Sequence, residues 1–284
     1  MLAGRRRLGA LTVCALLAGL VLTPATARAA NVPHYDFAGP IFGLDNARDG
    51  SLLVADAGAG IVQLRKGKGS LIVNLPNVTD VAPIGRGSMY ALTSGGEEQA
   101  PTDGKLLRVS LGRNHALADL FAFEARVNPD GGVIESNPFD VAKLSGGKAL
   151  VADAAGNDLL IVDQRGNVDW VATLPSELVS TQDIKDLVGC PNPPPEFADI
   201  CNLPPEIPAE AVATSVTIGP DGAYYVGELK GFPAPRHESR VWRIAPGTRH
   251  AHCGASSACS IVADGFTSNT DLNSDFGLQV GEIG

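Results

Sequence analysis

Four carboxylates, Asp56, Asp153, Glu228 and Glu282, each close the same short phrase, a turn glycine followed by an apolar run. The copies run from Gly50 to Asp56, from Gly147 to Asp153 and from Gly222 to Glu228, with a damaged one from Gly277 to Glu282. A further copy, Gly87 to Thr93, ends in threonine instead of an acid. Carboxylates at equivalent points of a repeat could pool negative charge around one rim for Ca2+, which prefers several oxygen ligands. They could instead accept N–H groups from the turn that follows, as Asx motifs do. Recurrence at one position in successive copies favours the turn role. Asn128, Asn137, Asn157 and Asp158 stand outside that phrase and are the better binding candidates; Asp153 and Glu228 complete the set.

No catalytic residue is assigned. The chain has no G-x-S-x-G elbow, and its five histidines show no H-E-x-x-H spacing. Glycine-rich stretches such as Gly67-Lys68-Gly69 lack the phosphate-loop pattern and read as hairpin turns. His250 and His252, beside Cys253, read as a solvated hairpin loop stapled by a disulfide. No cofactor is evident and no metal site is assigned: oxygen ligands would admit Ca2+, and zinc at the cysteines and His250 and His252 is disfavoured because neither cysteine spacing is C-x2-C.

The elements that position these residues follow from the repeat. One strand precedes each glycine phrase and two follow it, so each copy predicts a four-stranded antiparallel sheet. The second strand is apolar on both faces, as in Leu52-Leu53-Val54-Ala55, which suits sheets stacked face to face. Repeated four-stranded sheets around an axis make an all-β fold, a β-propeller, here with four complete blades and a partial fifth. The repeat positions Asp56, Thr93, Asp153, Glu228 and Glu282 lie 37, 60, 75 and 54 residues apart, and the excess is insertion. One insertion spans Phe121 to Ser136. Another, 176–213, holds Cys190, Cys201 and two proline runs, and reads as a disulfide-pinned surface loop without strands. A third spans Lys230 to Glu238.

Residues 1–29 read as a secretory signal peptide: Arg5-Arg6-Arg7, an apolar run from Leu8 to Leu22, then Ala27-Arg28-Ala29. That run is shorter than the ~20 residues a spanning helix needs, and no other stretch is longer. The propeller domain then occupies 30–284. Removing the leader takes four arginines and no acid, moving the net charge from −9 to −13. Such a balance argues against nucleic acid as a partner. The four remaining cysteines, Cys190, Cys201, Cys253 and Cys259, suit disulfides in an exported chain. Local pairings, Cys190–Cys201 and Cys253–Cys259, are favoured because each brackets a loop-like stretch.

Three segments go beyond a generic propeller: Asn128-Pro129-Asp130-Gly131-Gly132 with Ser136-Asn137-Pro138-Phe139; Val151 to Leu160; and Thr214 to Leu229 with Gly231-Phe232-Pro233. Together they closely resemble the ScyD/ScyE family of exported proteins, and Val151 to Asn157 also resembles NHL-type repeats. The resemblance runs from about Gly39 to the C-terminus. It implies a secreted six-bladed propeller and lends no catalytic residue. Relatives continue past Gly265-Phe266-Thr267 through complete fifth and sixth blades, whereas this chain stops at Gly284, so a truncated product is expected. The alternative is a gap covered by a strand over 32–38 and a partner subunit. Two functional readings follow. The first is a secreted binding or scaffold protein for an extracellular protein, glycan or small molecule. The second is a Ca2+-dependent, lactonase-like hydrolase with its site at the propeller axis.

Overall fold

Apolar runs of five to eight residues punctuated by turn glycines favour antiparallel strands over helices, which need longer runs. The computed structural model describes residues 35–94, 103–110, 113–273 and 279–282; the leader expected over 1–29 lies outside them, as does the side chain of Glu282. The first blade is β1 (Ile41–Asn46), β2 (Leu52–Asp56), β3 (Gly60–Arg65) and β4 (Lys68–Asn74), paired in that order. The second is β5 (Val78–Gly85), β6 (Ser88–Thr93), β7 (Lys105–Ser110) and β8 (Arg113–Asp119), followed by helix α1 (Leu120–Val127). The third is β9 (Pro138–Leu144), β10 (Lys148–Asp153), β11 (Asp158–Val162) and β12 (Val168–Thr173). A long connection then carries β13 (Glu177–Ser180), helix α2 (Gln182–Val188), a 3-10 helix (Pro195–Asn202) and β14 (Glu206–Ala209). The fourth blade is β15 (Ala211–Ile218), β16 (Tyr224–Lys230), β17 (Ser239–Ile244) and β19 (Cys259–Phe266), with β18 (Ala251–His252) in the loop before its last strand. Strands β20 (Asn269–Asn273) and β21 (Gln279–Glu282) pair as part of a fifth. The β-propeller of four blades and a partial fifth is what the repeat predicts. Residues 35–40 form no strand, so the strand considered over 32–38 is not found within the described part of that range.

The core lies between blades. Leu53, Ala55, Val81 and Ala91 join blades 1 and 2; Leu92, Leu106, Val151 and Leu160 join blades 2 and 3; Leu150, Ala152, Val226 and Trp242 join blades 3 and 4. Strand β10 thus feeds one cluster with Ala149 and Val151 and another with Leu150 and Ala152, as its two apolar faces require. The two-residue hairpin turns Lys66-Gly67 and Arg86-Gly87 both have paired positive φ, a geometry that matches the twist of the flanking strands.

Every inner strand carries an irregularity at the same place, where one extra residue sits opposite the second strand. The residue just past it is Gly43, Asp80, Asp140 or Ser215. Bulges re-aim side chains, and here they aim carboxylates at the next blade. Asp80 accepts the Val141 N–H at 2.9 Å and Asp140 accepts the Val216 N–H at 2.6 Å, satisfying inner-strand donors that have no strand neighbour. At Gly43 a Cβ would collide with the Asp80 carboxylate, so this close approach requires glycine. Burial lifts Asp80 well above the usual carboxylate range, and the Asp140 charge and hydrogen bond lift it further.

A folded-state pKa raised this way contributes stability that is full below the unfolded value, about 4, and is lost as pH rises through the folded one. Asp80→Asn keeps an acceptor for Val141 and places a donor toward Asp140. It is expected to stabilise the protein at pH 8 and to have a smaller effect at pH 4. Melting curves across that range test this; a destabilised variant at pH 8 would refute it.

Two connections differ from expectation. The 176–213 insertion is not strandless: β13 and β14 form a ribbon in which Pro208 faces Leu178, and Ala211 to Ala213 already belong to β15. A two-stranded ribbon has open edges, where proline's missing donor is tolerated. The Cys253 loop is also more than a solvated hairpin. Its strand β18 adds in parallel to β12, Thr173 Oγ1 lies 2.8 Å from His252 Nδ1, and His250 stacks on Trp170 at 4.8 Å. Both expected disulfides, Cys190–Cys201 and Cys253–Cys259, are present.

Candidate functional site

Because strands alternate in direction, the connections β8–β9, β10–β11, β12–β15 and β16–β17 all leave the propeller at one end. All three insertions therefore rise from one face. Within the first, Asp119 caps α1 by accepting the Ala122 N–H at 2.9 Å. Asn128 ends the helix in the left-handed region, a conformation asparagine tolerates well. The buried stripe of α1 is Leu120, Phe123 and Glu124. The two apolar residues pack into the core between blades 2 and 3. Spacing of one turn puts the Glu124 carboxylate down beside them, at 2% exposure.

Asp153 and Asp158 lie directly opposite one another across β10–β11, so their side chains share a sheet face. It is the face that carries Val151, Leu160 and Val162 toward blade 2 and α1. The two aspartates behave differently. Asp153 is saturated: Oδ1 accepts the Asn137 N–H at 2.7 Å and the Gly156 N–H at 3.0 Å, and Oδ2 accepts the Ser136 hydroxyl at 2.5 Å. Asp56 does the same in blade 1, accepting from Ala38, Gly39 and Gly58. The turn role favoured by recurrence is the one these two carboxylates play. Asp158 is 1% exposed and neither of its oxygens has a partner.

Around Asp158 the pattern repeats. Glu124 Oε1 and the side-chain oxygens of Asn128, Asn137 and Asn157 are likewise buried and unpartnered. The amide ends are fixed, since Asn157 Nδ2 donates to Asp130 Oδ2 and Asn128 Nδ2 donates to the Gly132 carbonyl, each at 3.0 Å. Burial, then the charges of Asp130, Asp153 and Glu135, push Glu124 up to about 7. Burial, then Asp153, Glu124 and Asp130, hold Asp158 well above the usual range. Burial also raises Asp153 against its hydrogen bonds, and raises Glu135 together with Glu210, Asp130 and Asp153. Among the described residues no three His, Cys, Asp or Glu side chains group as a metal's ligand set, so the cluster is one of mixed carboxylate and amide oxygens.

Five of the six sequence candidates, Asn128, Asn137, Asp153, Asn157 and Asp158, thus come together. Glu228 belongs to another network, in blade 4. Its carboxylate forms an ion pair with Lys230 Nζ at 2.5 Å and accepts a hydrogen bond from Trp242 Nε1. Lys230 also reaches Glu177 at 2.8 Å, and Arg240 holds Glu177 through both guanidinium nitrogens at 3.2 and 2.7 Å. Burial pushes Glu177 up, but Lys230 and Arg240 outweigh it and hold the carboxyl below its ordinary value. Glu124, Asp130 and Glu135 escape sequence reading; the one available signal is the helical spacing of Leu120, Phe123 and Glu124.

The axis itself holds a cavity of about 390 Å³ lined by inner strands, with Phe42, Asp80, Phe139 and Asp140 among its walls. Among the described residues no helix is long and apolar enough to cross a membrane.

No family model matches the chain, and no curated protein matches it. Solved structures do. A chain of the nidogen/laminin complex is similar with a TM-score of 0.53 at 11% identity, covering 86% of this chain and 73% of that one. The extracellular domain of a hybrid two-component system from B. thetaiotaomicron is similar at 0.48 and 11% identity; the match covers 89% of this chain but only 27% of that one. A structure described as a gluconolactonase is similar at 0.47 and 14% identity, covering 85% and 71%. At such identities the likeness concerns backbone alone. Sheet order and shared chain course together make this protein a β-propeller of four-stranded blades.

Proposed function

We propose that this chain is an exported binding protein of the ScyD/ScyE kind, which grips an extracellular partner with its insertion-bearing face. One observation carries the reading. Val133 and Ile134 in the first insertion, Leu178, Leu187 and Phe197 in the second, and Phe232 in the third are large apolar side chains left exposed. The insertions are neighbours: the Gly231 N–H donates to the Glu210 carbonyl, the Arg236 N–H donates to Asp183 Oδ2 at 2.8 Å, and Glu210 acts electrostatically on Glu135. Apolar side chains gathered on polar inserts of one rim are the usual mark of a contact surface. The two disulfides suit an oxidising environment outside the cell. A hydrolase at the axis would draw on the carboxylates of the cavity wall, and Asp80 and Asp140 are committed there to backbone N–H groups of the next blade.

The test is an array of glycans and secreted proteins probed with the mature chain and with Ile134→Asp, Phe232→Asp and, as control, Leu71→Asp on β4. Binding that falls at least about tenfold in both insertion variants, with melting unchanged, supports the reading. Binding that survives both, or lactone hydrolysis abolished by Asp140→Asn, overturns it.

A further inference from the structure

Six buried oxygen atoms of α1, the loop that follows it and the β10–β11 turn have no hydrogen-bond donor: Glu124 Oε1, both oxygens of Asp158, and the side-chain oxygens of Asn128, Asn137 and Asn157. A buried carboxylate left alone is costly, and so is a buried amide carbonyl. Four kinds of partner could relieve them: a cationic side chain, a proton, water or a bound cation. A cationic side chain is not in play, because the charges acting on Glu124 and Asp158 are all negative. A protonated Glu124 or Asp158 gains one O–H donor and could satisfy one further oxygen each, and water could supply more donors, yet neither relieves the negative charge of Asp130 and Asp153 that bears on the site. A single bound cation answers all of them.

We propose that Glu124 and Asp158, with the side-chain oxygens of Asn128, Asn137 and Asn157, form a Ca2+ site that ties α1 and its following loop to blade 3. The donors are oxygen only, which turns away Zn2+ and other metals that favour nitrogen or sulfur. Mixed carboxylate and amide oxygens drawn from a helix end, a loop and a hairpin suit the 6–8 ligands and flexible geometry of Ca2+ better than the strict octahedron of Mg2+. Two formal negative charges from the proposed ligands would balance the ion. The axial cavity does not enter into this site, and although the loop it would anchor carries Val133 and Ile134 of the binding face, its ligands are other residues, so the site would stand if that role were disproved.

Calorimetric titration and melting of the mature protein with CaCl2, MgCl2 and EDTA test the proposal. One Ca2+ per chain is expected, with Kd about 10⁻⁴–10⁻³ M or tighter, as in extracellular modules. The melting temperature should rise with Ca2+ and return with EDTA. Glu124→Gln and Asp158→Asn should each weaken binding at least about tenfold, since charge count tunes affinity. Both should leave the calcium-free protein as stable as before or more so, because each removes a buried charge. Asn128 and Asn157 both sit at positive φ, so Asn128→Gly and Asn157→Gly remove an oxygen while keeping a backbone that glycine adopts freely. They should weaken Ca2+ binding and, through the lost Nδ2 bonds to Gly132 and Asp130, modestly lower the calcium-free melting temperature. They decide the matter if a carboxamide variant fails to fold. No calcium uptake at about ten times the weakest of these values, or uptake unchanged in all foldable variants, overturns the proposal.

Discussion

Lys230→Met is expected to reduce the stability of the protein by about 3–5 kcal/mol, the cost of breaking a buried ion pair from one side. For a domain of this size that is a fall in melting temperature of roughly 6–20 °C. Lys230 is 1% exposed and its ammonium bridges Glu228, fully buried, to Glu177 of the second insertion. Methionine fills the same space but strands the Glu228 carboxylate in the core, with Trp242 Nε1 and the more distant Arg240 left to answer it. The double variant Lys230→Met, Glu228→Gln should recover most of the loss, because glutamine still accepts from Trp242 and carries no charge. Denaturant unfolding of the three variants measures both numbers. A single variant within about 1 kcal/mol of the parent would show that the pair is no better than a surface contact.

Asp153→Ala should cost about 3–5 kcal/mol as well, for a different reason: it abandons buried donors at about 1–3 kcal/mol each. The Asn137 and Gly156 N–H groups and the Ser136 hydroxyl all lose their acceptor at once. Asp153→Asn separates hydrogen bonding from charge. Its amide oxygen still accepts both backbone groups, the Ser136 hydroxyl can turn to accept from the new NH2, and one negative charge leaves a crowded cluster. Stability within about 1 kcal/mol of the parent is therefore expected for the asparagine variant. Equal damage from alanine and asparagine would mean that the charge itself matters and that the capping role is wrong.

The blades were legible because the repeat states them locally: a turn glycine, a run apolar on both faces, a second hairpin. The part of the site built from Asn157 and Asp158 was legible too, since these residues break the repeat at a turn where the other copies do not. What eluded the sequence depends on contacts formed only when the ring assembles. Asp80 and Asp140 are 60 residues apart and meet because neighbouring inner strands bulge at the same point. Glu177 and Lys230 are 53 apart and meet across an insertion that reads as featureless loop. Glu124 was hidden because its helix is eight residues long and follows a strand directly, so no long apolar period announces it. Glu228 shows the opposite hazard. Its place in the repeat matches Asp56 and Asp153, yet a longer side chain and a nearby lysine give it an ion pair in place of a turn.

The four principal strands of each of the first three sheets come from one uninterrupted stretch of chain, with the inner strand first and the outer strand last. In hereditary terms, a duplication or deletion whose ends fall in the connectors adds or removes a whole sheet without splitting a hairpin. The strand at Ala251–His252 is the exception, because it is encoded within the fourth unit and completes the edge of the third. A chain that lost the fourth unit would therefore leave the edge at Ala172–Thr173 bare, so the third and fourth units are coupled by more than their shared core.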